Sequence, residues 1–148
     1  MSHTFTKLII ICSLLNCIHG TYPPVGRYMY NNETRYGEFR IEYWVTFNQG
    51  WPHMVYTFLN CWSYTTLKGW FSLKDFDVPE GCSLDLRDKA DRDRWKNITQ
   101  TCNVAATYMG HPMQPGDLET LITKKDAGGR PYIELSFSKT KLKLLKYH

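Results

Sequence analysis

Strict alternation of apolar and polar side chains over residues 39–47 is the feature that most limits how this chain can fold. In an extended strand successive side chains point to opposite faces, so the pattern predicts a strand with one face buried. A turn signal at residues 48–50 and an apolar run at residues 54–59 predict a returning strand. The chain therefore has to contain an antiparallel sheet. The alternating apolar positions are Phe39, Ile41, Tyr43, Val45 and Phe47.

A different period, three to four residues, predicts one long helix from about Leu84 to Met109. Ser83 is the expected N-cap, because its hydroxyl can accept a hydrogen bond from the first turn. Gly110 and the proline that follows it end the helix. The apolar stripe of this helix consists of Trp95, Ile98, Cys102, Ala105 and Met109.

Further strands are predicted on both sides of the helix. Residues 62–66 and 70–73 suggest one or two strands before it, and residues 118–123 and 132–138 suggest a hairpin after it. An order of strands, one long helix and a hairpin is typical of an α+β fold. We therefore expect an antiparallel sheet with one long helix packed on one face.

Residues 1–20 have the pattern of a secretory signal peptide. Lys7 precedes an apolar run at residues 8–15, and Gly20 offers a small residue for cleavage. The apolar core is only about ten residues long, whereas a membrane anchor needs about 20. We expect cleavage after Gly20, a secreted chain, and a single globular domain over residues 21–148. Residues 21–36 are rich in Pro, Gly, Asn and Tyr and predict an extended N-terminal arm.

Three cysteines remain after the expected cleavage: Cys61, Cys82 and Cys102. In an oxidising compartment two of them should pair. Cys82 precedes the predicted helix and Cys102 lies on it, so the rise of a regular helix separates the two by more than a disulfide spans. We favour the pair Cys61–Cys102, with Cys61–Cys82 as the alternative.

Two N-glycosylation sequons occur, at Asn32 and Asn97. Asn32 lies in a polar, turn-like stretch. Asn97 lies off the apolar stripe of the predicted helix, so its side chain can face solvent. A secreted chain with these sequons is expected to be a glycoprotein.

The net charge of +4 is too small to indicate nucleic-acid binding. The exception to an otherwise mixed charge pattern is the segment 139–146, which carries four lysines and no acidic residue. We interpret it as a last strand with a solvated lysine face. Attraction to anionic glycans or lipid headgroups is the alternative.

Motifs for catalysis and for metal binding are scarce, and no cofactor or metal site is expected. The chain has no Gly-x-Ser-x-Gly elbow, and its cysteine spacings do not match zinc motifs. The fragment at residues 51–53, together with Tyr43 and Glu38, resembles stretches of small secreted fungal ribonucleases. A ribonuclease-like mechanism needs a general acid, a general base and a cation around one phosphate. The candidates for such a set are His53, His111, Glu38 and Arg40.

Aromatic residues are the remaining clue to function, since tyrosine and tryptophan are enriched at recognition surfaces. The candidate binding residues are Tyr30, Tyr36, Trp44, Trp62 and Trp70. We expect a small secreted interaction protein, of the effector type, that binds a protein or glycan partner without catalysis. The alternatives are a ribonuclease-like protein, the only case with a nucleic-acid partner, and a carbohydrate-binding module. No membrane span is expected.

Overall fold

A computed structural model describes residues 22–47, 53–62, 66–75 and 81–147 of the chain. The predicted signal peptide, residues 1–20, lies outside the described residues. Within the described residues the structure has one helix, α1 (Lys89–Tyr108), which lies between the fifth and sixth of eight strands. The strands are β1 (Gly26–Thr34), β2 (Gly37–Thr46), β3 (Met54–Cys61), β4 (Leu67–Asp75), β5 (Gly81–Leu84), β6 (Thr120–Lys125), β7 (Pro131–Phe137) and β8 (Thr140–Tyr147).

The eight strands form a closed antiparallel barrel, so the predicted α+β fold, an open sheet with a long helix on one face, is wrong. Each strand pairs with the next along the chain, and β8 pairs with β1 from Arg27↔Tyr147 to Met29↔Leu145. Pairing of the first strand with the last leaves the sheet without an open edge. Residues 21–36, expected to form an extended arm, contain β1, and β1 is one of the two strands that close the barrel.

Inward side chains fill the barrel with an apolar core. The alternation that predicted a strand is realised on β2, where Phe39, Ile41, Tyr43 and Val45 are buried, whereas Phe47 is exposed beyond the strand end. Each large apolar side chain buried in this way stabilises the fold by about 1.5–3 kcal/mol. The other strands contribute inward residues that include Tyr28, Val55, Leu59, Phe71, Leu73, Leu121, Ile133, Leu135 and Leu144.

The helix is shorter at its N-terminus than the sequence predicted. Residues 81–84, where the predicted helix begins, form β5, which pairs with both β4 and β6. Asp88, and not Ser83, is the N-cap, because its side chain accepts hydrogen bonds from the backbone N–H groups of Ala90 and Asp91. Ser83 is part of β5, all four residues of which are buried, so it pairs in the sheet and does not cap the helix.

The disulfide favoured from the sequence, Cys61–Cys102, is present and joins the end of β3 to α1. The helix lies against β3 and β4, and the ring of Trp95 meets that of Phe71 edge-on at 5.3 Å between centroids. The third cysteine, Cys82, is a buried thiol, and burial raises its pKa to about 12. It therefore stays protonated at neutral pH.

Removing the disulfide should lower the free energy of unfolding by about 4 kcal/mol, since it closes a loop with a sequence separation of 41 residues. We expect wild type and Cys82→Ala to lose stability on addition of a reductant. The double variant Cys61→Ala/Cys102→Ala should start less stable and show no response to reductant. Urea unfolding followed by tryptophan fluorescence measures the effect, and a wild type that is insensitive to reductant would contradict it.

Candidate functional site

The five aromatic residues suggested for a binding surface lie in three environments. Trp44 and Trp70 lie on the outer wall of the barrel. Tyr36, in the β1–β2 turn, and Trp62, directly after β3, lie at one end of the barrel. Tyr30 is partly buried against the core, opposite Ile41 in the β1–β2 register. They therefore do not form one surface.

Trp44, Tyr56 and Trp70 stand directly opposite one another across β2, β3 and β4, and we call them the outer aromatic row. The ring centroids of Trp44 and Tyr56 are 5.6 Å apart, and those of Tyr56 and Trp70 are 5.0 Å apart. The Arg27 guanidinium lies 3.6 Å from the centroid of the Trp44 ring. Neighbouring rings are tilted by 56° and 50°, so they pack against one another and do not form a flat platform.

A carboxylate is buried within the same outer wall: Glu42 is only 2% exposed. It accepts hydrogen bonds from Arg40 Nη2 at 2.6 Å, from Trp44 Nε1 and from the Tyr147 hydroxyl, and Arg27 Nε lies 3.5 Å away. Burial alone would raise the pKa of Glu42, but the hydrogen bonds from Tyr147, Trp44 and Arg40 lower it below its ordinary value of 4.5. Glu42 is therefore ionised at neutral pH, and it engages Arg40, one of the catalytic candidates.

Glu42→Gln should lower the free energy of unfolding by about 2 kcal/mol at pH 7, because charged hydrogen-bond partners lose a buried anion. The folded-state pKa is depressed, so the carboxylate stabilises the fold above about pH 4.5 and this stabilisation disappears as the pH falls through the folded pKa. Wild type should therefore lose more stability on acidification than Glu42→Gln. Chemical unfolding at a series of pH values measures both effects.

Glu134→Gln is the matched control, since Glu134 is also paired with a cation, Lys124 at 3.0 Å, but is partly exposed on β7. A surface pair of this kind contributes about 0–1 kcal/mol. Equal losses in the two variants, or parallel pH profiles for wild type and Glu42→Gln, would contradict the role assigned to Glu42.

A cleft of about 540 Å³ opens between the β1–β2 turn and the C-terminal half of α1, and we call it the rim cleft. Three of its side chains are unusually exposed for their size: Tyr108 at 88%, Val104 at 75% and Tyr36 at 55%. Trp62 lines both this cleft and an adjoining polar pocket. The remaining lining residues are Thr101, Ala105 and Met109.

Trp62 is held in a demanding position. Its φ of 53° lies in the left-handed region, which large side chains rarely adopt. Its backbone N–H donates to the Glu38 carbonyl at 3.0 Å, and its ring stacks on Phe39 with centroids 4.3 Å apart. Its Nε1 is buried and has no acceptor among the described residues. Strained residues of this kind persist where the surrounding structure holds them in place, and they are common at binding sites.

A polar pocket of about 490 Å³ adjoins the rim cleft and shares Tyr36 and Trp62 with it. Asn60 Nδ2 donates to Glu38 Oε2 at 3.3 Å, and the Arg35 guanidinium lies 4.6 Å from the Tyr36 ring. The two aromatic side chains thus separate an apolar half from a polar half. A ligand lying across them would meet both kinds of surface.

The two candidate catalytic histidines lie at opposite ends of β3. His53 precedes β3 and stacks on Tyr22 with centroids 4.0 Å apart, and burial lowers its pKa. His111 follows α1, and its ring lies 6.5 Å from that of Trp62, beyond the other end of the strand. Because β3 has eight residues, its ends are separated by about 23 Å. The structure does not bring the proposed ribonuclease set together.

We expect wild type and His53→Ala/His111→Ala to hydrolyse RNA at the same background rate. A general acid and a general base must both reach one phosphate, and a separation of about 23 Å excludes that. A fluorogenic RNA substrate, with a known ribonuclease as positive control, provides the measurement. Cleavage that disappears in each single histidine variant would contradict this expectation.

The sequence did not single out Val104 and Tyr108. They are four residues apart on α1, so their side chains share one face of the helix, and both are exposed, on a different face from the buried stripe. Such a pair, on a helix whose stripe already faces the core, is a detectable signal for an additional exposed apolar face.

Asn32 and Asn97, the sequon residues, are both exposed, on β1 and on α1.

Within the described part of the chain, no cluster of His, Cys, Asp and Glu side chains is arranged to hold a metal ion. No helix there has the length and apolar character needed to cross a membrane. No protein-family model matches this chain, and no curated protein or solved structure matches it. Its function therefore has to be inferred from the geometry of its own surface.

Proposed function

We propose that this protein is a secreted, non-enzymatic interaction protein that binds a protein partner through the rim cleft. The observation that carries the proposal is the convergence of three strongly exposed apolar side chains, Tyr36, Val104 and Tyr108, on one cleft. Exposed apolar patches on folded domains commonly mark interaction sites. Tyrosine and tryptophan supply much of the binding energy at such sites.

The walls of the rim cleft are held rigidly, which favours binding. Trp62 follows Cys61 and Thr101 precedes Cys102, so the disulfide joins the two walls immediately beside the cleft. A preorganised site loses little conformational entropy when a partner binds. We infer that the partner inserts an apolar side chain between Tyr36 and the helix, and places polar groups in the adjoining polar pocket.

An extracellular location is part of the proposal. It is supported by the N-terminal sequence pattern, by a disulfide of the kind that persists in oxidising compartments, and by two exposed sequon asparagines. In this setting the protein acts as an effector on an extracellular or host partner. Glycosylation at Asn32 and Asn97 belongs to the same proposal.

Carbohydrate binding is the second candidate function, and the outer aromatic row is the observation that favours it. The rings of Trp44, Tyr56 and Trp70 are aligned across three strands, and Trp70 is exposed at the end of the row. The mutual tilt of the rings is less suited to stacking on a sugar face than a flat platform. The rim cleft is therefore the preferred site.

The experiment compares two double variants that each remove two aromatic rings. Tyr36→Ala/Tyr108→Ala should weaken partner binding by at least about thirtyfold, because each truncation removes a central contact. Tyr56→Ala/Trp70→Ala should bind the partner like wild type. Capture from extracellular fluid, followed by titration of the purified partner, measures the affinities, and circular dichroism checks the fold.

Unchanged affinity of Tyr36→Ala/Tyr108→Ala for a partner that wild type captures would overturn the assignment to the rim cleft. A glycan array tests the second candidate in parallel. Glycan binding that is lost only in Tyr56→Ala/Trp70→Ala would support the carbohydrate-binding function in place of protein binding.

A further inference from the structure

The positive charge of this chain is concentrated in one region. Residues 124–146 contain seven basic and two acidic residues, whereas the rest of the chain contains eleven basic and twelve acidic residues. The excess of positive charge therefore belongs to three consecutive strands, β6, β7 and β8, and the turns that join them. Such asymmetry indicates a surface for an anionic partner.

The barrel arranges most of these cations as an elongated strip on its outer wall. Lys141 and Lys143 face outward on β8, since Leu142 and Leu144 beside them are buried. Lys124 lies on β6, opposite Tyr132 on β7. We call six residues the basic strip: Lys124, Lys141 and Lys143 on the outer wall, and Lys125, Arg130 and Lys139 at the two turns that bound β7.

The register gives the strip its direction. Lys141 lies opposite Ser136, near the β7–β8 turn that holds Lys139. Lys125 lies opposite Pro131, at the other end of β7, next to Arg130. The strip thus runs along the whole of β7, which has seven residues and spans about 20 Å.

Few negative charges lie in this region to neutralise the strip. Glu134 pairs with Lys124 at 3.0 Å. Asp126 accepts hydrogen bonds from the backbone N–H groups of Gly128 and Arg130, both at 2.9 Å, and its Oδ2 lies 3.5 Å from Arg130 Nε. Two carboxylates therefore face seven cations in this region. Lys146 is excluded from the strip, because it lies opposite the inward residue Tyr28 and its stem crosses Gly26.

We propose that the basic strip binds a linear sulfated polysaccharide. The Cα atoms of Lys141 and Lys143, alternate residues of β8, are about 6.6–6.8 Å apart along the strand, and pairing with β7 holds that spacing. A linear chain of sulfate groups presents anions in a comparable row, and clustered lysines commonly bind such chains. This activity uses other residues than the rim cleft and does not depend on the proposed partner.

The composition of the strip favours a glycan over a nucleic acid or a lipid surface. Single-stranded nucleic acids require accessible rings for base stacking, but the Lys143 ammonium lies 4.3 Å from the centre of the Tyr132 ring and covers it. Surface binding to membranes combines cations with an apolar face that inserts between lipids. Among the described residues of β6, β7 and β8, Leu145 is the one large apolar side chain that is strongly exposed. A single side chain does not make an apolar face that inserts between lipids.

The test measures binding of wild type and two variants to immobilised heparin over a range of salt concentrations. Lys141→Gln/Lys143→Gln should weaken binding by about tenfold or more and reduce the slope of log K against log salt by about one unit per lysine. The matched control is Lys68→Gln/Lys96→Gln, which removes the same charge from exposed positions on β4 and α1. It should change the affinity by less than about twofold.

Desulfated heparin and phosphatidylserine vesicles are the comparison ligands, and both should bind more weakly than heparin. Equal weakening in the two variants would reduce the effect to net charge and overturn the site. Absence of binding to heparin at physiological salt, or tighter binding to vesicles, would overturn the ligand. Tyr36→Ala/Tyr108→Ala should bind heparin like wild type, so a failure of the rim-cleft proposal is distinguishable from a failure of this one.

Discussion

Pairing between β1 and β8 is the constraint on which the rest of the structure depends. An open sheet would leave the backbone N–H and C=O groups of both strands unpaired at its edges, where other chains can add. Closure also separates the strand side chains into an interior and an outer wall. The interior takes the apolar set, and the outer wall receives every alternate residue of eight strands. Both the outer aromatic row and the basic strip result from that division.

The helical insertion is fastened to the barrel at both of its ends. At its N-terminal side, β5 continues the sheet up to Leu84. At its C-terminal side, the Leu118 carbonyl accepts a hydrogen bond from the buried Tyr43 hydroxyl at 2.6 Å. Asp117, which is buried, accepts from the backbone N–H groups of Gln114 and Ser138. With the disulfide between them, these contacts fix α1 beside the end of β3, and so create the rim cleft.

Charge is used in two opposite ways on the outer wall. Glu42 is buried, and its carboxylate accepts hydrogen bonds from Arg40, Trp44 and Tyr147. Its charge therefore stabilises contacts within the fold. The cations of the basic strip are largely exposed, and exposed charges contribute little to stability. Their concentration on one side is therefore better explained by recognition than by folding.

Local periodicity in the sequence was enough to predict β2, β3, most of α1, the β6–β7 hairpin and the Cys61–Cys102 pair, because each depends on side-chain spacing along one or two elements. The same patterns did not predict the barrel, since closure joins residues far apart in sequence: Glu42 and Tyr147, for example, are separated by 105 positions. Candidate site residues were recognisable by type, as Tyr36, Trp62 and the tail lysines were. Which of them meet was decided only by the tertiary structure, because the register of the closed sheet separates Trp44 from Trp62 and brings Lys124 alongside the lysines of β8.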